Sequence, residues 1–320
     1  MSRPAKPAAA PTGATQPGLV VASFGRHCLV ESANGERRIC YPRGKKSQVV
    51  VGDRVQWSAT GDEGSVERVD ERRNLFYRQD ELRTKSFAAN LDQILMIVAA
   101  DPEFSERQLA RALIAAEAQQ IPVIVVLNKS DLQPAFDRSW ARLAPYRRMG
   151  VTVMPLRLQA ATAAQSEEGV DALNQRLEGK TTLILGPSGV GKSTLVNRLV
   201  PHASALTGEI SRALNSGKHT TTSTTWYWTD DTRRTALIDS PGFQEFGLNH
   251  IEPMQLAHLM PDLKATLGNC RFYNCTHLHE PGCAVREQVA SSGDGDPAIA
   301  PNRYLIYGEL FAELSDKRTY

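Results

Sequence analysis

Residues 186–194 have the sequence Gly186-Pro187-Ser188-Gly189-Val190-Gly191-Lys192-Ser193-Thr194, which matches the pattern G-x-x-x-x-G-K-[ST] at every fixed position. An apolar run precedes this stretch and another follows it, so the glycines lie between a predicted strand and a predicted helix. Glycines let backbone N–H groups turn toward anionic oxygens, and the positive end of the helix dipole assists them. The stretch therefore predicts a P-loop that binds a triphosphate, with Lys192 on the β and γ phosphates and the Ser193 hydroxyl on Mg²⁺.

A second motif, N-K-x-D, follows a buried strand that ends at Leu127, and consists of Asn128-Lys129-Ser130-Asp131. An aspartate carboxylate can accept two hydrogen bonds from the N1–H and exocyclic amine of guanine, whereas adenine has no such pair of donors. Asn128 would hold the base O6 and the neighbouring loop, and the Lys129 stem would pack over the ring. The tetrapeptide alone is also compatible with a polar turn, but the nearby P-loop favours a guanine site.

A third motif, D-x-x-G, is formed by Asp239-Ser240-Pro241-Gly242 after an apolar strand. Asp239 would hold Mg²⁺ through water, and the Gly242 N–H would sense the γ-phosphate. Between this motif and the P-loop, residues 217–225 are rich in hydroxyl groups, which predicts a switch I loop. We expect Thr220, Thr221 or Thr222 to reach Mg²⁺, with Thr221 and Thr222 as leading candidates; an edge strand continuing into Trp226 is compatible with this role.

Phe243 follows Gly242, at the position where Ras-type proteins have the glutamine that orients the attacking water. We therefore expect slow intrinsic hydrolysis. His219, or a group supplied by a partner, can take this role, and the alternative is that His219 is an ordinary polar loop residue. The candidate catalytic residues are His219, Thr221, Thr222, Asp239 and Gly242.

The order of the motifs is unusual, because N-K-x-D precedes the P-loop, whereas in ordinary GTPases it comes last. From about Leu91 onward, buried strands alternate with amphipathic helices, which predicts a mostly parallel sheet with helices on both faces. One of these helices begins at a capping box, Ser105 to Gln108, and runs to about Gln120. We predict a circularly permuted α/β G domain over residues 87–249, since domain termini usually lie close together at the surface.

The composition sets broad limits on what the protein is. The 320 residues include 41% apolar residues, enough for ordinary cores in two or three domains, and no apolar run is long enough to span a membrane. The N-terminus has no signal-peptide pattern, so we expect a cytoplasmic protein without membrane contact. The net charge of +2 is too small to indicate a nucleic-acid partner by itself, so any such binding must be local.

The N-terminal part contains two segments of different composition. Residues 1–17 are rich in Ala and Pro, which predicts a disordered tail. Over residues 18–86, short β-forming runs alternate with Gly, Asn and Asp, which predicts a small β-barrel of the OB-fold type. The runs are Leu19 to Ser23, His27 to Val30, Arg38 to Tyr41, Val49 to Val51, Arg54 to Trp57 and Ser65 to Val69. The basic stretch Arg37, Arg38, Arg43, Lys45 and Lys46, with Tyr41, indicates RNA contact, and the alternative is a solvated loop.

The C-terminal part, residues 250–320, contains a group of possible metal ligands. The spacing Cys270-x4-Cys275-x-His277-x5-Cys283 supplies three thiolates and an imidazole, which suits one tetrahedral structural zinc. His279 competes with His277 as the fourth ligand, and free buried cysteines are the alternative. Helices are predicted at about Pro253 to Leu267 and Arg303 to Leu314. The side chains that can touch RNA here are Arg271, Phe272, Tyr273 and Arg286.

Taken together, these motifs resemble the RsgA (YjeQ) family of bacterial GTPases that depend on the small ribosomal subunit. The resemblance covers nearly the whole chain beyond the tail and implies an OB-fold, a permuted G domain and a zinc-binding domain. It also implies GTP hydrolysis stimulated by the small (30S) subunit during its late maturation, with the two flanking domains on 16S rRNA. The expected cofactors are one structural Zn²⁺ and Mg²⁺ with GTP, and we expect GTP or GDP to be bound by a monomer.

One stretch departs from the family pattern. Where a Ser-Ala-type loop is expected, this chain has Leu156-Arg157-Leu158-Gln159-Ala160, which alters the contacts expected at the guanine oxygen. A competing hypothesis is a nucleotide-stabilised RNA-binding module without functionally relevant turnover. A nucleotide kinase is a third hypothesis, which the N-K-x-D motif disfavours because we find no pocket for a phosphate acceptor.

Overall fold

The computed structural model describes residues 14–43, 48–158, 169–200, 203, 224–242, 246–290 and 298–316. The strands of these regions, in chain order, are β1 (Gln16–Ser23), β2 (Cys28–Glu31), β3 (Arg37–Pro42), β4 (Arg54–Thr60), β5 (Glu63–Val69), β6 (Leu75–Gln79), β7 (Thr84–Ala89), β8 (Gln93–Ala99), β9 (Val123–Asn128), β10 (Thr152–Leu156), β11 (Thr181–Leu185), β12 (Thr225–Trp228) and β13 (Ala236–Asp239). The helices are α1 (Glu106–Ala118), α2 (Ala135–Arg142), α3 (Ala144–Arg148), α4 (Val170–Leu177), α5 (Lys192–Leu199), α6 (Pro261–Lys264), α7 (Ala284–Ala290) and α8 (Pro301–Asp316), with a 3-10 helix at Pro253–Leu259.

The first five strands form a closed barrel. Their order is β1-β2-β3-β5-β4, and β4 pairs back onto β1. All the pairs are antiparallel except β3 with β5, which run parallel. The barrel interior is apolar and is filled by Val20, Cys28, Val30, Cys40, Val49, Val55, Trp57 and Val66. The predicted OB-like barrel is confirmed.

A mostly parallel sheet follows, with the order β10-β9-β8-β11-β13-β12. Every neighbouring pair is parallel except β12 with β13. All residues of β8 are buried, because separate apolar clusters cover the two faces of the sheet. The strand β8 lies between β9, which ends in N-K-x-D, and β11, which leads into the P-loop. The half of the sheet that carries N-K-x-D therefore precedes the half that carries the P-loop in the chain. This is the permuted α/β architecture that the motif order predicts.

Within the described ranges, the barrel joins this sheet through the backbone pair of Ala22 in β1 with Thr225 in β12. Side chains strengthen the joint, because the buried Glu31 carboxylate accepts a hydrogen bond of 2.8 Å from Trp228 Nε1 and pairs with Arg37 at 2.7 Å. Arg233 lies 3.6 Å from the same carboxylate. The strand that follows the predicted switch I is therefore held directly against the barrel.

The helix α1 begins where the capping box predicts. The Ser105 side chain accepts a hydrogen bond from the Gln108 backbone N–H at 3.3 Å. The reciprocal contact is not made, since Gln108 Oε1 is buried without a hydrogen-bond partner. The predicted helix start is therefore confirmed, although only the Ser105 contact of the capping box is made.

Three local expectations differ from the structure. Residues Val49 to Val51 do not form a strand of the barrel. The Val50 N–H donates to the buried Asp53 carboxylate at 2.8 Å and the Asp53 N–H donates to the Val50 carbonyl at 3.2 Å, which closes a turn from Val50 to Asp53, and Val51 makes an isolated bridge with Ala88 of β7. The strand β1 begins at Gln16, inside the predicted tail, because it pairs with β4. The hairpin β6–β7 was not predicted, and the expected domain limit at residue 86 falls within β7.

The C-terminal part is mainly helical, as predicted, but its first helix is divided. A 3-10 helix at Pro253–Leu259 and the short α6 replace the continuous helix expected to Leu267. Pro261, which has no N–H to donate and occupies the first turn of α6, accounts for the break. No helix in the described parts of the chain has the length and apolar character that crossing a membrane requires.

Candidate nucleotide and metal sites

The P-loop connects β11 to α5 and its geometry depends on glycine. Gly191 is the cap of α5 at φ +104°, and a Cβ there would lie 2.4 Å from Asn128 Nδ2. Only glycine fits, because that φ is rarely adopted by other residues and the space is already filled. Lys192 Nζ donates to the Gly186 and Pro187 carbonyls at 2.8 and 2.7 Å. The ammonium therefore lies inside the loop whose N–H groups are expected to bind phosphate.

The N-K-x-D turn lies against this loop. Asn128 ends β9, is almost fully buried, and donates through Nδ2 to the Val190 carbonyl at 2.8 Å. The Ser130 N–H donates to the Leu156 carbonyl at 3.2 Å, so the turn is also tied to β10. Asn128 Oδ1 is buried and has no hydrogen-bond partner, which leaves an acceptor for a ligand donor. A cavity of about 330 Å³ lies here, lined by Asn128, Lys129, Asp131, Leu132, Leu158, Gly189, Gly191 and Thr194.

The D-x-x-G turn completes the described part of the nucleotide site. Ser240 Oγ donates to the Ile184 carbonyl at 2.8 Å, which ties the turn to the end of β11. A Cβ on Gly242 would lie 3.1 Å from Lys192 Nζ, so its backbone runs beside the P-loop. Burial raises the pKa of Asp239 to about 6 against the opposing effect of Lys192, and burial lowers the pKa of Lys192. A buried carboxyl beside a phosphate loop is a group whose charge a bound cation would stabilise.

Several predicted site residues lie outside the described part of the chain. These are His219, Thr220, Thr221, Thr222 and Phe243, together with Gln159 and Ala160 of the altered loop. Within the described part of that loop, Leu156 and Leu158 are buried, and Leu158 contributes apolar surface to the nucleotide cavity. The sequence reasoning did not assign this role to Leu158, although its position after a strand of the parallel sheet is a signal for a ligand-lining residue.

The C-terminal cysteines and one histidine form a compact cluster. The candidate ligand atoms of Cys270, Cys275, His277 and Cys283 all lie within 4.8 Å of one another. His277 Nδ1 is 3.5 Å from the sulfurs of Cys270 and Cys283, which are 4.0 Å apart. Zinc bond lengths give tetrahedral edges of about 3.5 Å for N to S and about 3.8 Å for S to S. The donor set and its spacing therefore fit a metal ion of zinc's size.

The cluster is braced by neighbouring side chains. Tyr304 and Tyr307 of α8 donate from their hydroxyls to the His277 and Thr276 carbonyls, each at 2.7 Å. Glu280 accepts from the Thr276 hydroxyl at 2.6 Å and from its N–H at 2.9 Å. Although burial opposes it, this hydrogen bonding lowers the pKa of Glu280. His279 is exposed and outside the cluster, so the structure places His277 at the fourth position.

The candidate RNA contacts of the barrel are largely neutralised by acids. Arg37 pairs with Glu31, Arg38 with Glu36 at 2.9 Å, and Arg43 with Glu67. Lys45 and Lys46 lie outside the described residues, and Tyr41 is exposed beside this stretch. In the C-terminal part, Phe272 is exposed with Arg271 over its ring, and Tyr273 is fully exposed. Exposed aromatic and basic side chains are thus present in the C-terminal part.

Comparison with known proteins decides the family. A model of the RsgA GTPase family matches residues 69–249. The chain belongs to the RsgA GTPase family. The small ribosomal subunit biogenesis GTPase RsgA of Variovorax paradoxus (strain S110) is 65% identical over 98% of this chain and 98% of its own length. The same-named protein of Burkholderia pseudomallei (strain 1710b) is 51% identical over 98% of this chain and 96% of its own.

Solved structures agree with this family. YjeQ from Thermotoga maritima has a TM-score of 0.69 and 29% identity, covering 95% of this chain and 100% of that one. YloQ, described as a circularly permuted GTPase, has a TM-score of 0.68 and 25% identity, covering 96% of this chain and 97% of its own. The resemblance stated from the motifs is therefore confirmed, and the protein is a GTP hydrolase with a permuted domain.

Proposed function

We propose that this GTPase acts in the biogenesis of the small ribosomal subunit, as a switch in late 30S maturation whose GTP hydrolysis the subunit stimulates. The observation that carries the nucleotide assignment is the hydrogen bond from Asn128 to the Val190 carbonyl, which joins N-K-x-D to the P-loop around one cavity. The names of the relatives support the ribosomal part. We infer a cytoplasmic monomer that contacts 16S rRNA through its barrel and its C-terminal part.

Each described motif has a proposed role in binding GTP. Residues 186–194 bind the phosphates, residues 128–131 bind guanine, and Asp131 accepts the two guanine donors. Magnesium would neutralise charge on the β and γ phosphates when bound, and Ser193 and Asp239 would hold it. Gly242 would sense the γ-phosphate, and His219, Thr221 and Thr222 remain our candidates for orienting water and completing the Mg²⁺ shell.

We propose that the roles divide among a barrel (residues 18–86), the GTPase domain (87–249) and a metal-binding domain (250–320). The cluster of Cys270, Cys275, His277 and Cys283 would hold one structural zinc. Burial raises the pKa of the Cys275 thiol, and a bound cation would favour its thiolate form. A closed set of four protein ligands leaves no open position for substrate, which favours structure over catalysis.

Single-turnover GTP hydrolysis tests the proposal. The protein is measured alone, with small ribosomal subunits and with large subunits, and ATP serves as the control nucleotide. We expect strong stimulation by small subunits alone, no use of ATP, and loss of turnover in Lys192→Ala, because its ammonium would no longer reach the phosphates.

Two results would contradict the proposal in different ways. A turnover rate indifferent to both subunits would leave a GTPase with another activator. Binding of GTP and small subunits without any stimulated turnover would instead support a nucleotide-stabilised RNA-binding module.

A further inference from the structure

One buried arginine connects the segment after D-x-x-G to the last helix. Arg111 of α1 is 7% exposed. Its Nη1 donates to the Phe246 carbonyl at 3.1 Å, and its Nη2 pairs with the Glu313 carboxylate of α8. A guanidinium presents donors in a fixed fork, so one group can hold a backbone carbonyl and a carboxylate in a set relation. We call Arg111, Phe246 and Glu313 the Arg111 junction.

Phe246 is itself firmly placed. Its ring packs against Phe76 and Phe87 of the β6–β7 hairpin, with centroid distances of 5.6 and 5.9 Å. The next residue, Gly247, accepts a hydrogen bond from the Gln79 N–H at 3.1 Å. Gly242, four positions before Phe246, lies beside Lys192, and four residues of chain span at most about 14 Å. The position of Phe246 therefore limits where the Gly242 N–H can lie relative to a γ-phosphate.

The junction also has room to rearrange. A cavity of about 710 Å³ adjoins it and is lined in part by Arg107, Arg111, Gly247 and Glu313. Gln108 Oε1, also on this cavity, is buried without a hydrogen-bond partner. Close-packed interiors resist small displacements, whereas a polar cavity lets a guanidinium change partners. Because Arg111 contacts both groups, the positions of the Phe246 carbonyl and the Glu313 carboxylate depend on each other.

The helix α8, which contains Glu313, also contacts the cysteine–histidine cluster. Tyr304 and Tyr307 of α8 hold the carbonyls of His277 and Thr276. We propose that Arg111 is a positioning residue for GTP hydrolysis, which sets the D-x-x-G turn and couples its position to α8 and the metal-binding part. The proposal rests on the assignment of Asp239 to Gly242 as the γ-phosphate sensor, and not on the ribosomal role.

Arg107 supplies a matched control on the same helix. It pairs with Glu313 at 3.1 Å and with Glu309 at 3.4 Å. Among the described residues, it makes no hydrogen bond to Phe246. Arg107→Gln removes two ion pairs between α1 and α8, and Arg111→Gln removes one. Only Arg111→Gln also removes the contact with the Phe246 carbonyl.

The test uses the full-length protein in its metal-bound form. Intrinsic GTP turnover is measured for both variants, and hydrogen exchange of residues 301–316 is compared between GDP and a non-hydrolysable GTP analogue. We expect Arg111→Gln to lower kcat about tenfold with KM within about twofold, since a charged hydrogen bond is lost, while Arg107→Gln keeps kcat within about twofold. The nucleotide-dependent difference in exchange should vanish in Arg111→Gln and persist in Arg107→Gln.

Thermal unfolding shows whether each variant is folded. If Arg111→Gln does not fold, Arg111→Lys replaces it under the same criteria, because a lysine can keep the pair with Glu313 without the fixed fork. The proposal is overturned if wild-type α8 shows no nucleotide dependence, if the Arg111 variant behaves as wild type, or if both variants lose the effect equally. Subunit-stimulated turnover of the wild type is scored separately, so failure of the ribosomal role would be recognised as such.

Discussion

The candidate nucleotide site and the cysteine–histidine cluster present different kinds of atoms to a ligand, main-chain atoms in the first and side-chain atoms in the second. In the P-loop the expected phosphate ligands are backbone N–H groups, and their arrangement depends on Gly191 having no side chain. In the cluster the ligand atoms are side-chain sulfurs and an imidazole nitrogen, brought within 4.8 Å of one another. The first site is therefore sensitive to an added methyl group, and the second to the loss of a single donor atom.

The largest effect should come from removing a metal ligand. Cys283→Ser replaces a buried thiol with a poorer zinc ligand, so we expect the bound metal to fall from about one ion per chain to near zero. The C-terminal part should lose at least about 4 kcal/mol of stability, since metal binding contributes to its folding. Metal content by mass spectrometry and thermal unfolding check both.

Cys28→Ser is the matched control for this prediction. Cys28 is equally buried, but it lies in the barrel and outside the cluster. Its replacement should leave the metal content unchanged. Equal metal loss in both variants would show that the assay reports general unfolding, and unchanged metal in Cys283→Ser would contradict the cluster assignment.

A methyl group in the P-loop should have the next largest effect. Gly191→Ala combines a left-handed φ of +104° with a contact of 2.4 Å to Asn128 Nδ2. We expect GTP affinity to fall about 100-fold, or about 3 kcal/mol, in titrations with a fluorescent GTP analogue. Gly189→Ala also has a positive φ, +81°, but its nearest contact is 3.7 Å away, so its loss should be about tenfold or less. Equal losses would mean that backbone conformation, and not space, decides this site.

The smallest effect concerns how the charge of the Asp239 carboxylate changes the stability of the protein without nucleotide or cation. Burial raises the pKa of Asp239 from 3.8 to about 6, so between these values the folded state binds more protons than the unfolded state. The stability that this group contributes therefore falls as pH rises from about 4 to about 6. Asp239→Asn should stabilise the nucleotide-free protein by about 1 kcal/mol more at about pH 7.5 than at about pH 5.

Urea unfolding of the wild type and of Asp239→Asn at both pH values measures this difference in stability. The same effect of Asp239→Asn at the two pH values would show that Asp239 is not the titrating group. Ser240→Ala, one position away, serves as a control that removes a hydrogen bond without removing a charge, and its effect should not depend on pH.

The sequence was informative where chemistry depends on near neighbours. The P-loop, N-K-x-D and the cysteine spacing each lie within a short stretch. The strands that precede the P-loop and N-K-x-D form at the apolar runs that predict them. The barrel strand expected at Val49 to Val51 does not form, apart from a single bridge at Val51, because β-propensity does not account for a buried acceptor such as the Asp53 carboxylate. The continuous helix to Leu267 was wrong because the break at Pro261 was not weighted.

Other features could not be predicted because they join distant parts of the chain. Arg111 and Glu313 are 202 positions apart, and no local pattern indicates that their side chains meet. The pairing of Ala22 with Thr225 is equally remote. The role of Glu280 beside the cluster has no sequence signal beyond its position among the ligands. Such contacts follow from the arrangement of whole elements, which hydrophobic periodicity does not specify.

The position of β8 in the sheet has a consequence for synthesis on the ribosome. Its neighbours are β9, which is made soon after it, and β11, which begins about 80 residues after β8 ends. At roughly 5 to 20 residues per second, the apolar edge of β8 waits roughly 4 to 16 s for its second partner. The half that carries N-K-x-D therefore leaves the ribosome with an open central strand that is apolar from Ile94 to Ala99, which makes it a candidate for chaperone protection until the P-loop strand is complete.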